Sequence, residues 1–149
     1  KAKVIVCAGD DLYDSGVLEA REHLSPVMFL HKIGLLDCNC SVVGGICLDR
    51  DDVDLMAQVG SSLIVCPTYS CGTGRGIPII SPALGKIKIS LGTFDNLFNK
   101  SGSVIEEAKT LYLGTAAVMR RPNALSIEQL ARIVGTDDEE SLFAALNLK

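Results

Sequence analysis

The sequence of 149 residues has a net charge of −4 and lacks the clustered Lys and Arg of a nucleic-acid binder, so no nucleic acid is expected as a partner. No apolar run approaches the roughly 18 residues of a membrane span, so no membrane association is expected either. Hydrophobic residues make up 48% of the chain, which indicates one ordered globular domain over residues 1–149.

Short β-rich runs alternate with helical patterns, which is typical of an α/β protein built from parallel βα units. The run 3–7 is continuously apolar from residue 4 onward, as in strands that helices cover on both faces. Ser25 and Pro26 suit an N-cap and a first helical position, and Gly34 suits a helix end. In chain order the patterns predict strands at 3–7, 41–46, 62–66 and 86–91, helices at 15–24, 25–34, 50–59 and 79–84, and a glycine-rich loop at 67–76.

The last third of the chain is predicted to be helical. The longest helix ends before Pro122, and two shorter helices follow it. Each of the three begins at the spacing of a capping box: Ser103 with Glu106, Ser126 with Gln129, and Thr136 with Glu139.

The six cysteines are expected to be free thiols in a reducing, cytoplasmic environment. Cys7, Cys47 and Cys66 lie in or at the ends of apolar runs, where buried thiols act as small apolar residues. Cys38 and Cys40 are separated by one residue, whereas zinc knuckles use two to four.

Chemistry in parallel α/β folds lies at the C-terminal ends of the strands. A hydrolytic metal site needs three or more His and carboxylate ligands converging there. No predicted strand end carries a His, because His23 and His31 both fall on predicted helices. We therefore expect no metal and no other cofactor.

Four segments carry a family resemblance: LHKIGLLD at 30–37, VVGGICLD at 42–49, VCPTYS at 65–70 and LGTFD at 91–95. They resemble the deaminase and chlorohydrolase branch of the metal-dependent amidohydrolase superfamily. The resemblance implies four consecutive βα units of a TIM-type (β/α)8 barrel, its C-terminal half, followed by C-terminal helices. A complete barrel needs about 250 residues, so this chain is too short to form one alone.

The resemblance also implies that the metal ligands are missing. The family has a metal-binding His where this chain has Gly44, and a water-activating Asp where it has Phe94. The family's His-x-Ala-Glu corresponds to residues 6–9, so its polar positions fall on Val6 and Gly9. Residues that could substitute at the same rim are Asp10, Cys47, Cys66 and Asp95. Arg75, in the loop at 67–76, is a weak candidate for binding an anion.

Three functions are compatible with these observations. The first is a degenerate amidohydrolase-like domain, inactive on its own, that acts as a structural or subunit-pairing module or is a fragment of a larger protein. The second is a metal-dependent hydrolase for C–N bonds of a cyclic amidine or purine-like substrate, with zinc or iron held partly by another chain. The third is an open, flavodoxin-like module that binds a small ligand. A half barrel leaves sheet edges and an apolar face exposed, which predicts a homo-oligomer or a partner chain.

Overall fold

The structure is a computed structural model that describes residues 2–78, 80–81, 83–95 and 97–147. The described part is an α/β fold with four strands and seven helices. Their order is β1 (Val4–Ala8), α1 (Leu12–Glu22), α2 (Pro26–Lys32), β2 (Cys40–Gly44), α3 (Arg50–Val59), β3 (Ser62–Val65), α4 (Pro67–Gly72), β4 (Lys88–Leu91), α5 (Val104–Met119), α6 (Ile127–Val134) and α7 (Glu139–Leu146). The alternation of strands and helices predicted from the sequence is confirmed.

The four strands form one sheet in the order β1-β2-β3-β4. The β1–β2 and β2–β3 pairs are parallel, with Val6 opposite Val42 and Val42 opposite Leu63. Sequential parallel strands are the arrangement of a barrel segment. The flavodoxin-like alternative is wrong, because that fold reverses its strand order at a switch point and this sheet does not.

Contacts within the chain divide it into two compact units, Lys1–Val65 with Ile79–Ile89, and Cys66–Pro78 with Ser90–Lys149. In the first unit, Val42 and Leu63 share one sheet face and are fully or almost fully buried. The opposite face carries Ile5, which is 69% exposed. In the second unit, α5 packs against α4, α6 and α7 around Leu111 and Leu130. The single domain over residues 1–149 stays a prediction.

Helix starts follow local capping chemistry. α1 begins at Leu12, earlier than predicted, because the Asp11 carboxylate accepts the backbone N–H of Tyr13 at 2.7 Å. α3 begins at residue 50 as predicted; Asp49 is its N-cap and forms a capping box with Asp52. The capping box of Ser126 and Gln129 at α6 is confirmed.

Three local predictions are wrong. α4 lies within the predicted loop, because Pro67 supplies a first helical position despite the following glycines. Ser103 precedes α5, but its side chain makes no capping bond; its backbone N–H donates instead to Asn99 Oδ1 at 3.1 Å. Asp138, not Thr136, caps α7.

The short helix predicted at 79–84 is not seen in its described residues, 80–81 and 83–84, which form turns and irregular backbone; residues 79 and 82 lie outside the described part. Within the described ranges, no helix is long and apolar enough to cross a membrane.

Candidate functional site

The end of β2 is built on a glycine that leaves no room for a side chain. Gly44 is buried and has φ of +121°, a conformation that residues with a Cβ rarely adopt. A Cβ added there would lie 2.6 Å from Asp10 Cβ and 3.1 Å from Asp10 Cα. A histidine at this position would therefore require both a different backbone and a displaced Asp10.

The ends of β1 and β2 bring four of the predicted site residues together. Asp10 packs over Gly44, and the Cys47 backbone N–H donates to the Gly9 carbonyl at 2.8 Å. Gly9 is buried, its φ is +64°, and it lies close to the side chain of Leu48. The first unit therefore brings the ends of β1 and β2 into close contact, and Asp10 contributes a carboxylate side chain to this contact.

Val6 does not belong to this contact between the ends of β1 and β2. It pairs with Val42, which pairs with Leu63, so its side chain lies on the same face as these two buried residues. Cys7, the next residue, lies on the opposite face and is exposed. A polar residue at position 6 would face the covered side of the sheet rather than the open side.

In the second unit, Phe94 belongs to an aromatic cluster. Its ring stacks on Tyr69 with centroids 4.1 Å apart and an interplanar angle of 23°. Phe98 meets Tyr69 edge-on at 6.4 Å, and the Arg75 guanidinium carbon lies 5.1 Å from the Tyr69 centroid. The position at which the resemblance expects a water-activating Asp is therefore held by stacked rings.

The two remaining site candidates in the second unit, Cys66 and Asp95, differ in their exposure to solvent. Cys66 is buried just before α4, whereas Asp95 is exposed and accepts the Leu97 backbone N–H at 2.9 Å. An Asp that holds its own turn in this way has a local structural role.

Two buried carboxyl groups were not singled out from the sequence. Asp52 is fully buried and accepts hydrogen bonds from the Ser25 hydroxyl and, at 3.3 Å, from the Asp49 backbone N–H. Burial raises the pKa of Asp52 above its usual value, and the Ser25 and Asp49 hydrogen bonds only partly oppose this. Asp52 borders a pocket of about 390 Å³ among α1, α2 and the start of α3, which also includes Ser15 and Glu19.

Glu107 is the second buried carboxylate. It accepts the Thr68 backbone N–H at 2.9 Å, the Thr68 hydroxyl, and the Asn99 side-chain amide at 2.8 Å. These bonds join α5 to the first turn of α4 and to the segment before α5. Both acids resembled ordinary first-turn residues of helices; the available signal for Glu107 was its place on the apolar face with Leu111 and Thr115.

The residues present do not fit a zinc centre. Among the described residues, no group of three or more His, Cys, Asp or Glu side chains could hold a metal ion. His23 caps the end of α1 and His31 lies on α2, and both are exposed. All six cysteines are free thiols, as predicted.

No family model matches the chain. A 5-methylthioadenosine/S-adenosylhomocysteine deaminase from Pyrococcus abyssi is 24% identical over 119 residues, which cover 79% of this chain and 28% of the relative. The corresponding deaminase 2 from Archaeoglobus fulgidus is 30% identical over 96 residues, covering 62% of this chain and 23% of the relative. The chain thus spans less than a third of the length of these curated relatives.

Solved structures give the same fold. An adenosine deaminase from Xanthomonas campestris with bound zinc superposes with a TM-score of 0.77 at 19% identity, covering 91% of this chain and 33% of the other. Atrazine chlorohydrolase from Arthrobacter aurescens, complexed with zinc, gives 0.77 at 18% identity, covering 92% and 32%. Together the relatives and structures confirm the resemblance to the amidohydrolase superfamily.

Proposed function

We propose that this chain is an amidohydrolase-like domain without catalysis of its own, which acts as a structural or subunit-pairing part of a larger assembly or polypeptide. The observation that carries the proposal is Gly44. Its positive φ and the Asp10 side chain packed against it leave no space for the expected metal ligand. A histidine at this position would need a different backbone conformation as well as a displaced Asp10.

The loss of a first ligand is decisive for this chemistry. A catalytic zinc both holds the water and lowers its pKa, so the protein scaffold cannot replace it. The first unit offers Asp10 and Cys47 at its strand ends, which is fewer than the three protein ligands of a catalytic zinc. The stacked ring of Phe94 in the second unit supports the same conclusion.

The half-barrel architecture is part of this proposal. Two features support it: Ile5 is exposed on the open sheet face, and α1 has no buried residue along its 11 positions. A helix of a globular protein normally buries one face. α1 contacts α2 but leaves every one of its residues at least partly exposed. A partner that covers them would be a second copy of the chain, another chain, or the remainder of a longer polypeptide.

The proposal is tested by measuring the metal content of protein purified without chelators. We expect much less than one equivalent of zinc or iron per chain. A full equivalent that is lost in Cys47→Ser or Asp95→Asn, but kept in the exposed control variant Cys38→Ser, would contradict it.

A hydrolase completed by another chain is the second candidate. The names of the curated relatives favour it, since they are deaminases. On this chain, Asp10 would be the side chain that contributes to the shared site. Ammonia release from a purine-like substrate by the assembled complex, abolished by Asp10→Asn, would establish this candidate in place of the first.

A further inference from the structure

The pocket among α1, α2 and the start of α3 has the size of a small-molecule site and lies wholly within the first unit. Its volume of about 390 Å³ falls in the range of about 300–1,000 Å³ that is usual for ligand pockets. Part of its wall is apolar and is formed by Leu24, Pro26 and Met28. The rest of the wall is polar, and its charge decides which ligands it favours.

The polar part of the wall is acidic. Glu19 lies on α1, Asp49 is the N-cap of α3, and Asp52 lies in the first turn of α3. Among the described residues that line the pocket there is no Lys or Arg, and His23 is the one residue of basic type. A concave site lined by one sign of charge attracts ligands of the opposite sign, so this pocket favours a cation.

Asp52 provides a buried acceptor in this wall. It is fully buried, and the groups that donate hydrogen bonds to it, the Ser25 hydroxyl and the Asp49 backbone N–H, are both neutral. A buried carboxylate without an opposite charge is costly. Each carboxylate oxygen can accept about two hydrogen bonds, so Asp52 has room for a further donor. A positively charged donor would supply the missing countercharge.

Ser15 is a second, independent sign of a ligand. It lines the same pocket from α1, and its hydroxyl is buried with no hydrogen-bond partner among the described residues. Buried hydroxyls in folded proteins are nearly always paired. An unpaired one in the wall of a pocket therefore marks a place where the pocket's occupant completes the bonding.

We propose that this pocket binds a small organic cation that carries a primary alkylammonium group. An ammonium group has three N–H donors and no acceptor, which suits the Asp52 carboxylate, the Ser15 hydroxyl and the Glu19 carboxylate. The alkyl chain of the ligand packs on the apolar wall. A bare metal ion does not fit, because no group of three or more His, Cys, Asp or Glu side chains in the described part of the chain could hold one.

This inference goes beyond the proposed function and does not depend on it. Its three acceptors lie on helices and are not among the positions to which the family resemblance assigns metal ligands. Metal content therefore leaves the inference unchanged, and binding of an amine leaves the proposed loss of catalysis unchanged.

The test uses n-butylammonium as the probe and 1-butanol, with the same alkyl chain and no charge, as the matched ligand control. Both are titrated at pH 7 and constant ionic strength into nitrogen-15-labelled protein, with the backbone amide signals of Ser15 and Asp52 followed by NMR. We expect saturable binding of butylammonium that is at least about tenfold tighter than that of butanol, because hydrogen bonds to charged groups are the stronger ones. Equal affinities would overturn the proposal, and so would shifts that never saturate, since the pocket would then hold only water.

Variants locate the site. Asp52→Asn keeps the side-chain shape without the charge and should weaken butylammonium binding about tenfold or more. Asp51→Asn removes an equal charge at an exposed position outside the pocket wall and should change the affinity less than about twofold. Equal losses in the two variants would assign the effect to long-range charge and overturn the proposal.

Ser15→Ala and Glu19→Gln keep the proposal testable if Asp52→Asn fails to fold, because neither residue is fully buried. Each should weaken butylammonium binding by about threefold and leave butanol binding unchanged. Unchanged butylammonium affinity in both variants would overturn the proposal.

Discussion

Gly44 ends β2 with φ of +121°, and the backbone and side chain of Asp10 lie where a Cβ would project. Gly74 also has a positive φ, +75°, but nothing lies within 4 Å of its added Cβ. A side chain added at either glycine would be strained by the positive φ. At Gly44 the added side chain would also collide with Asp10, so comparing the two positions distinguishes backbone strain from steric crowding.

We predict that Gly44→Ala destabilises the protein more than Gly74→Ala does. The alanine at 74 costs about 1 kcal/mol of backbone strain. The alanine at 44 adds the displacement of Asp10, for a total of about 3 kcal/mol or more. Urea unfolding of both variants measures the difference. Equal costs would show that Asp10 moves freely and that Gly44 could accommodate a larger residue.

At the residue scale, the sequence alone predicted which strand ends lack metal-binding residues. It did not predict which side chains pack around these positions. The absence of a His at the strand ends is visible in the sequence alone. The bonds of Thr68 to Glu107 join residues 39 positions apart, and the Tyr69–Phe94 stack is also formed by tertiary packing. Local patterns carry no information on such pairs.

At the element scale, the bond between Ser25 and Asp52 joins the N-cap of α2 to the first turn of α3. Burial raises the pKa of Asp52 in the folded protein above its usual value of 3.8. The folded state therefore binds more protons than the unfolded state above that pH, and it loses stability as the pH rises through this window. An asparagine side chain at this position does not titrate, so it removes this pH dependence.

We predict that Asp52→Asn is most destabilising near pH 4 and less so at pH 7, because only the parent protein must ionise a buried carboxyl group. Denaturant midpoints at both pH values measure this. Asp51→Asn, at an exposed position in the same turn, is the control for helix-dipole effects. A cost of Asp52→Asn that grows with pH would contradict the assignment.

Helix interiors give a matched pair of glycines. Gly16 in α1 has nothing within 4 Å of its added Cβ, whereas that of Gly114 in α5 lies 2.5 Å from Ile77. Gly16→Ala should stabilise the protein by about 0.5–1 kcal/mol through helix propensity. Gly114→Ala should destabilise it by about 1–3 kcal/mol through overpacking. Thermal unfolding of both variants shows whether each substitution raises or lowers stability. If both raise it, the Ile77 side chain moves aside at little cost.

The same scale shows where sequence patterns succeed and fail. Helices with strong local caps, such as α3 and α6, were predicted with correct starts. α4 was missed because a six-residue helix that ends at Gly72 has too few positions for an apolar period. The start of α5 is fixed by Asn99, which binds both the backbone N–H and the carbonyl of Ser103, a role that no capping motif announces.

At the scale of the whole molecule, the three most exposed large apolar side chains among the described residues lie at the start of the first unit. Ile5 is 69%, Leu12 77% and Tyr13 78% exposed, and β1 forms the edge of the sheet. An uncharged edge strand beside exposed apolar residues favours association. The proposed pairing role follows from this surface.

We predict that the chain self-associates at micromolar concentration through β1 and α1. Ile5→Lys places a charge on the edge strand and should shift the protein toward monomer. Ile33→Lys is the matched control, because Ile33 is 50% exposed at the end of α2 and lies outside β1 and α1. Sedimentation velocity compares the three proteins. A parent that sediments as a monomer and melts cooperatively would show that β1 needs no cover, and an equal shift in both variants would place the contact elsewhere.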